Sequence, residues 1–207
     1  LTKGNEDESN TKYAQGGIAV VTDFDKDNFE KHVQDTLIAG DGLCNEEIVN
    51  IVIKEGRERV NELIEWGTVF DKDKEGEYKL GKEGGHSENR VLHYKDITGY
   101  EIERALLTAV HARENIEMTT HHFVIDLITQ HHLGRMITRV TTNIRCYGVY
   151  VLDRKTNHID KIIAKTTVLA TGGFGQVYRS TTNPTIATGD GVAMVYRAKG
   201  RVGNMEF

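Results

Sequence analysis

Thr167-Val168-Leu169-Ala170-Thr171-Gly172-Gly173 is a short apolar run that ends in a threonine and two glycines. Four to eight apolar residues that stop at glycine predict a buried strand feeding a tight turn. Downstream, Val192, Ala193 and Tyr196 share one side of a helix predicted over 189–198. A strand, a glycine turn and a helix in that order form the unit from which α/β nucleotide-binding folds are assembled. Upstream, the pattern predicts strands over 115–119, 121–129, 145–152 and 158–163, joined by short polar turns. Earlier still, Phe29, Val33, Leu37 and Ile38 recur near helical spacing, and Gly40 ends the run. Asn45 is placed to cap a second helix, with Glu46 and Glu47 in its first turn, where negative charge suits the dipole. Ile48, Ile51, Val52, Val60, Leu63 and Ile64 mark its expected face, and Gly56 is a candidate break. Thr98 and Glu101 have the spacing of a capping box for a third helix over 99–112. Residues 71–97 carry no period and predict a long functional loop. Together these features predict an α/β domain with an inserted antiparallel meander.

The 207 residues carry a net charge of −5, with the signs mixed along the chain. That balance argues against a general nucleic-acid or anionic-membrane binder. No apolar run reaches the roughly 18 residues that span a bilayer. Cys44 and Cys146 lie about 100 residues apart without a CxxC and read as free thiols of a reducing, cytoplasmic compartment. Adjacent histidines on a strand point to opposite faces, so His121-His122 and His131-His132 predict no metal site.

Glycine accounts for 21 residues and proline for one. Four glycine turns stand out: Tyr13-Ala14-Gln15-Gly16-Gly17, Glu83-Gly84-Gly85-His86-Ser87, Ala170-Thr171-Gly172-Gly173 and Thr188-Gly189-Asp190-Gly191. Such turns let backbone N–H groups approach a ligand closely.

Tyr13 through Ala19 resembles the FAD-contacting segment of the succinate dehydrogenase/fumarate reductase flavoprotein superfamily. Within it, Glu83-Gly84-Gly85-His86-Ser87 with Arg90, Leu92-His93, Asp96 and Thr98-Gly99 resembles the L-aspartate oxidase family. So do Asp35 to Gly40, Leu169 to Gly173, Thr181 to Pro184 and Ala187 to Met194. The resemblance covers nearly the whole chain. It implies part of a Rossmann-like FAD-binding domain with an inserted antiparallel β-meander and a helical segment. It also implies oxidation of L-aspartate to iminoaspartate by hydride transfer to FAD, reoxidised by oxygen or fumarate. This is a step of de novo NAD biosynthesis, with coupling to quinolinate synthase.

Cofactor contacts carry over to Lys3, Asn10, Thr11, Lys12, Tyr13, Ala14, Gln15, Gly16, Gly17, Val124, Ala170, Thr171, Gly172 and Asp190. Glu83 matches the family's substrate-orienting glutamate, suited to the α-ammonium of aspartate. His86, Ser87 and Arg90 are the candidates for its carboxylates. The superfamily's histidyl–flavin link would require histidine at position 11. Thr11 stands there, so non-covalent FAD is expected. The resemblance also places a GxGxxG βαβ unit before Leu1, and the capping and C-terminal helical domains after Phe207. Residues 1–207 are therefore expected to be a truncated FAD-binding domain, inactive by itself. A succinate dehydrogenase or fumarate reductase flavoprotein and a non-catalytic flavin-binding module remain as alternatives.

Overall fold

A computed structural model describes residues 1–205. It divides into two compact units, Leu1–Asn10 with Glu117–Phe207, and Thr11–Ile116. Among the described residues no helix is long and apolar enough to cross a membrane.

Thr11–Ile116 is built mainly of helices. Helix α1, Phe29–Ala39, begins where the Asn28 side chain accepts from the Lys31 N–H. Helix α2, Glu46–Glu65, is capped in the same way by Asn45 on the Ile48 N–H, as its sequence predicts. It runs unbroken through Gly56. The buried face differs from the expected one: Ile53 and Val60 are buried, while Ile48, Ile51 and Val52 are exposed. Helix α3, Thr98–His111, departs from its predicted cap. Ile97 holds the N-cap position without a side-chain bond. Glu101 instead accepts from the Val69 N–H and pairs with Arg104. Two short strands, β1 (Ile18–Ala19) and β2 (Val91–Leu92), pair antiparallel. The Val20, Val60, Phe70 and Leu92 side chains form the core beneath them. The polar stretch 71–97 is therefore tied down by β2 toward its end and by bridges at Lys72–Tyr78 and Gly81–Val91.

The other unit carries the meander. Strands β3 (His122–Thr129), β4 (Cys146–Asp153) and β5 (Ile159–Ile163) pair antiparallel in chain order. Helix α4, Asp190–Arg197, follows. Leu127, Val149, Val151 and Met194 form the core between α4 and the sheet. A bulge between Val124 and Asp126 interrupts β3. Arg197 fixes it, donating to the Asp126 carboxylate and to the Ile125 carbonyl. Residues 115–119 and 167–170 form no strand among the described residues. Both runs have strand character, but a strand also needs a hydrogen-bonded neighbour. Leu169 nevertheless packs against the core cluster.

Candidate functional site

In the unit containing the meander, the structure gathers five candidate residues around the start of α4. Gly189 precedes the helix with φ 76, a left-handed conformation suited to glycine. Asp190 is the first helical residue. Lys3 Nζ lies 2.5 Å from its Oδ2 and also bonds the Thr188 hydroxyl, which in turn donates to Asp190 Oδ1. The turn Ala170-Thr171-Gly172 lies alongside. The Thr171 hydroxyl fills the space where a side chain on Gly191 would stand. Gly172 has φ 70, and a Cβ there would lie 3.1 Å from Asn10 Nδ2. Lys3, Asn10, Thr171, Gly172 and Asp190, dispersed in sequence, are thus neighbours. Asn10 Oδ1 is buried with no hydrogen-bond partner. Leaving a buried acceptor unsatisfied costs about 1–3 kcal/mol, so it is a place for a ligand donor. The N–H groups at the start of α4, which have no partner within the helix, suit an anionic or hydroxyl-rich ligand. The set therefore fits the phosphate or hydroxyl groups of a nucleotide cofactor. Val124 lies on β3 beside the bulge and packs against the core cluster that includes Met194 of α4.

In the helical unit, Thr11–Tyr13 is a single 3-10 turn leading into the glycine segment. The N-terminus of α3 anchors that segment. The Gly99 N–H donates to the Ala14 carbonyl at 2.8 Å, and the Thr98 hydroxyl is shared between the Gln15 and Gly16 carbonyls at 3.3 and 3.4 Å. In a trans peptide the C=O of one residue and the N–H of the next point opposite ways. Holding the carbonyls of residues 14, 15 and 16 therefore turns the N–H groups of Gln15, Gly16 and Gly17 away from α3. These are the three donors expected to meet the flavin ring.

Glu83 stands against this segment: a Cβ added to Gly16 would lie 2.6 Å from Glu83 Oε1. Residues 83–86 make a turn closed by the His86 N–H on the Glu83 carbonyl. Gly85 supplies the positive φ, 88. The two glycine motifs farthest apart within this unit are thereby placed side by side.

Arg90 requires a correction. Expected to present its fork to substrate carboxylates, it is fully buried, with 0% side-chain exposure. Its Nε and Nη2 chelate Asp27, and its Nη1 bonds Asp35 Oδ2. Burial alone would lower the arginine pKa, but the two carboxylates outweigh it and raise it. Ser87 is also engaged: its N–H and its hydroxyl both donate to Asp35 Oδ2, at 2.7 and 2.8 Å. Both residues therefore shape the loop instead of presenting free groups to a ligand. His86 stays half-buried with Nδ1 unpartnered, its ring edge-on to His32 at 6.2 Å. Asp27, Asp35, Thr98 and Gly99 are the participants that site reasoning from sequence passed over. Thr98-Gly99 stood within the family motif. Asp35 opened another stretch that resembles the family, Asp35 to Gly40, while Asp27 carried no signal beyond being an acid just before an amphipathic helix.

Each unit, taken by itself, carries a feature of a flavin-binding module: a donor set around the start of α4 in one, and a glycine segment with its N–H edge turned away from α3 in the other. Residues 1–207 match the family of FAD binding domains, and the chain belongs to that family, whose cofactor is FAD. Its relatives narrow the class further. Over all 207 residues it is 50% identical to "L-aspartate oxidase, chloroplastic" of Oryza sativa subsp. japonica, covering 31% of that protein. It is 45% identical over 209 residues to L-aspartate oxidase 1 of Ralstonia nicotianae, all of this chain matching 38% of that protein. Among solved structures, the quinol fumarate reductase FrdA of E. coli superposes with a TM-score of 0.85 at 29% identity, over 95% of this chain and 32% of that one. The Sdh1 complex of Mycobacterium smegmatis gives 0.83 at 27%, over 95% and 34%. The chain spans about a third of the length of the curated relatives it matches.

Proposed function

We propose that the polypeptide carrying this chain is an L-aspartate oxidase, converting L-aspartate to iminoaspartate with non-covalently bound FAD. Oxygen or fumarate is the proposed acceptor, and the imine is handed to quinolinate synthase for NAD biosynthesis. The observation that carries this reading is Glu83, an anionic side chain against Gly16 of the flavin segment. Succinate and fumarate have no ammonium, so a carboxylate there favours the amino acid and repels the plain diacid. Identity of 50% to a named aspartate oxidase, against 29% to a fumarate reductase, points the same way.

When bound, FAD supplies the two-electron acceptor. The chain's own residues do the rest. Lys3, Asn10, Thr171, Gly172 and Asp190 would hold the cofactor at the start of α4. Thr11 through Gly17 would present the N–H edge, and Val124 would add a backbone contact. Glu83 would bind the α-ammonium, which fixes the Cα–H bond in one orientation. Orientation of this kind carries several kcal/mol of a barrier. His86, on the same turn, is the group left to meet a substrate carboxylate, while Ser87 and Arg90 keep the turn in place.

Glu83→Gln in the full-length enzyme keeps the shape and removes the charge. Losing a hydrogen bond to a cationic group costs about 1.5–3 kcal/mol, roughly a 10- to 150-fold fall in kcat/KM for L-aspartate. Fumarate reduction should be spared. Steady-state kinetics in both directions check this. Equal losses for the two substrates would make Glu83 a loop support instead of a substrate reader.

A further inference from the structure

Helix α1 presents one stripe to the Glu83–Ser87 turn: His32, Asp35 and Ala39, at spacings of three and four. His32 stacks edge-on to His86. Ala39 Cβ lies 3.9 Å from where a Cβ on Gly85 would be. Asp35 holds Ser87 by both its N–H and its hydroxyl. Lys31 adds an ion pair to Glu88 on the far side of the turn. Asp35 is itself held by Arg90, and Arg90 is locked by the Asp27 carboxylate just before α1. The chain of contacts thus runs Asp27, Arg90, Asp35, Ser87 and from there through the turn to Glu83. The inner links are buried or nearly so, with side-chain exposure of 3% for Asp27, 0% for Arg90 and 13% for Asp35, while Ser87 and Glu83 at the outer end are exposed. The Asp27–Arg90–Asp35 part is charge-assisted and largely shielded from water, and it holds the Asp35 carboxylate in place for its bonds to Ser87. Lys82 Nζ closes the turn from below by bonding the Ser87 carbonyl.

We propose that Asp35 is a positioning residue for the oxidation, acting through Ser87 to set the place of the Glu83 carboxylate. Resting on the aspartate oxidase reading, this inference adds a residue on α1 that need not touch substrate. Its consequence is coupling: Asp35 matters for aspartate only as long as Glu83 is there to be positioned.

The test is a double-mutant cycle in the full-length, FAD-loaded enzyme, with Asp35→Ala, Glu83→Gln and their combination. Displacing a catalytic contact by about 1 Å costs on the order of 100-fold. Asp35→Ala alone should therefore lower kcat/KM for L-aspartate by at least 10-fold, with flavin absorbance per protein unchanged. In the Glu83→Gln background the same change should cost less than about 2-fold. Ser87→Ala keeps the N–H tether and loses the hydroxyl, so it should give a smaller loss that also disappears with Glu83→Gln. It serves as the test if Asp35→Ala does not fold. Equal losses in both backgrounds would mean that Asp35 supports the fold generally, and would overturn this inference alone. If Glu83→Gln by itself left aspartate turnover unchanged, the substrate reading would fall, and this inference with it.

Discussion

Gly99 is a residue whose smallness is demanded by its neighbours. A Cβ there would run into the Thr11 carbonyl oxygen and stand 2.8 Å from Ala14 Cβ and 2.9 Å from the Ala14 carbonyl oxygen. Two opposing effects decide the outcome of Gly99→Ala. Alanine gains up to about 1 kcal/mol of helix propensity. Against that, two of the obstructing atoms are backbone and cannot rotate away, and overpacking of this kind costs about 1–3 kcal/mol. The clash wins, and it acts on the segment whose N–H groups are turned outward. Gly99→Ala should lower the melting temperature and also weaken FAD retention through dialysis. Flavin retention equal to wild type would show that the Thr11–Gly17 segment can shift without consequence. Arg90 makes the complementary point. Its residue type suggested a carboxylate fork for substrate, and it does grip carboxylates, but those of Asp27 and Asp35. Composition of the chain could not distinguish the two uses, because Asp27, Asp35 and Arg90 come together only in the folded chain.

At the scale of the element, α1 is an amphipathic helix whose inner face is partly ionic. Burial pushes the His32 pKa down, and Arg90 and His86 add to that; Asp27 and Asp35 oppose it without reversing it. For Asp35, burial alone would raise the pKa. The Ser87 N–H, Arg90 and the Ser87 hydroxyl outweigh it and hold the carboxyl at about 2. Both groups have folded pKa values below their unfolded ones, so each makes the fold more stable as pH rises. The windows differ. The His32 contribution is complete above about pH 6.5 and falls away below it, while that of Asp35 is complete above about pH 4 and is lost toward pH 2. Melting curves from pH 7.5 to 5 should therefore show a fall in stability that His32→Gln reduces. An unchanged pH slope in that variant would remove His32 from the acid response. The helices were legible in the sequence because their signals are local: Asn28 and Asn45 cap α1 and α2 with their own side chains. The third cap was not legible. Thr98 is drawn to the Gln15 and Gly16 carbonyls and Glu101 to the Val69 N–H, partners that only tertiary packing supplies, while Arg104 one turn on in the same helix also holds Glu101. The three strands of the meander were legible, each within a residue of its observed bounds. Residues 115–119 and 167–170 carry the composition of strands, but pairing is a property of two segments and cannot be read from one.

For the molecule as a whole, the chain order of the two units is the organising fact. It leaves the first at Asn10, completes the second from Thr11 to Ile116, and returns at Glu117. Each unit has its own apolar cluster. In the unit that carries the meander, the motifs Ala170–Gly173 and Thr188–Gly191 were readable singly. Their meeting with Lys3 was not, since Lys3 and Asp190 lie nearly the whole length of the sequence apart.

The last strand of the meander has a bearing on how this protein behaves in concentrated solution. Strand β5 is exposed along its whole length, and Ile159, Ile162 and Ile163 are 56%, 40% and 63% accessible. Among the described residues it pairs only with β4, so its outer edge is a template on which another extended chain can add. Asp160 and Lys161 sit in the middle of that edge, and a charge of each sign interrupts what would otherwise be five consecutive aggregation-prone positions. These two side chains act as gatekeepers of colloidal stability while contributing little to the fold. Replacing both, Asp160→Val with Lys161→Val, should leave the melting temperature nearly unchanged. It should bring on assembly that grows with concentration, visible by light scattering and by thioflavin fluorescence. A double variant as monodisperse as the parent would locate the protection elsewhere, in the twist of the sheet.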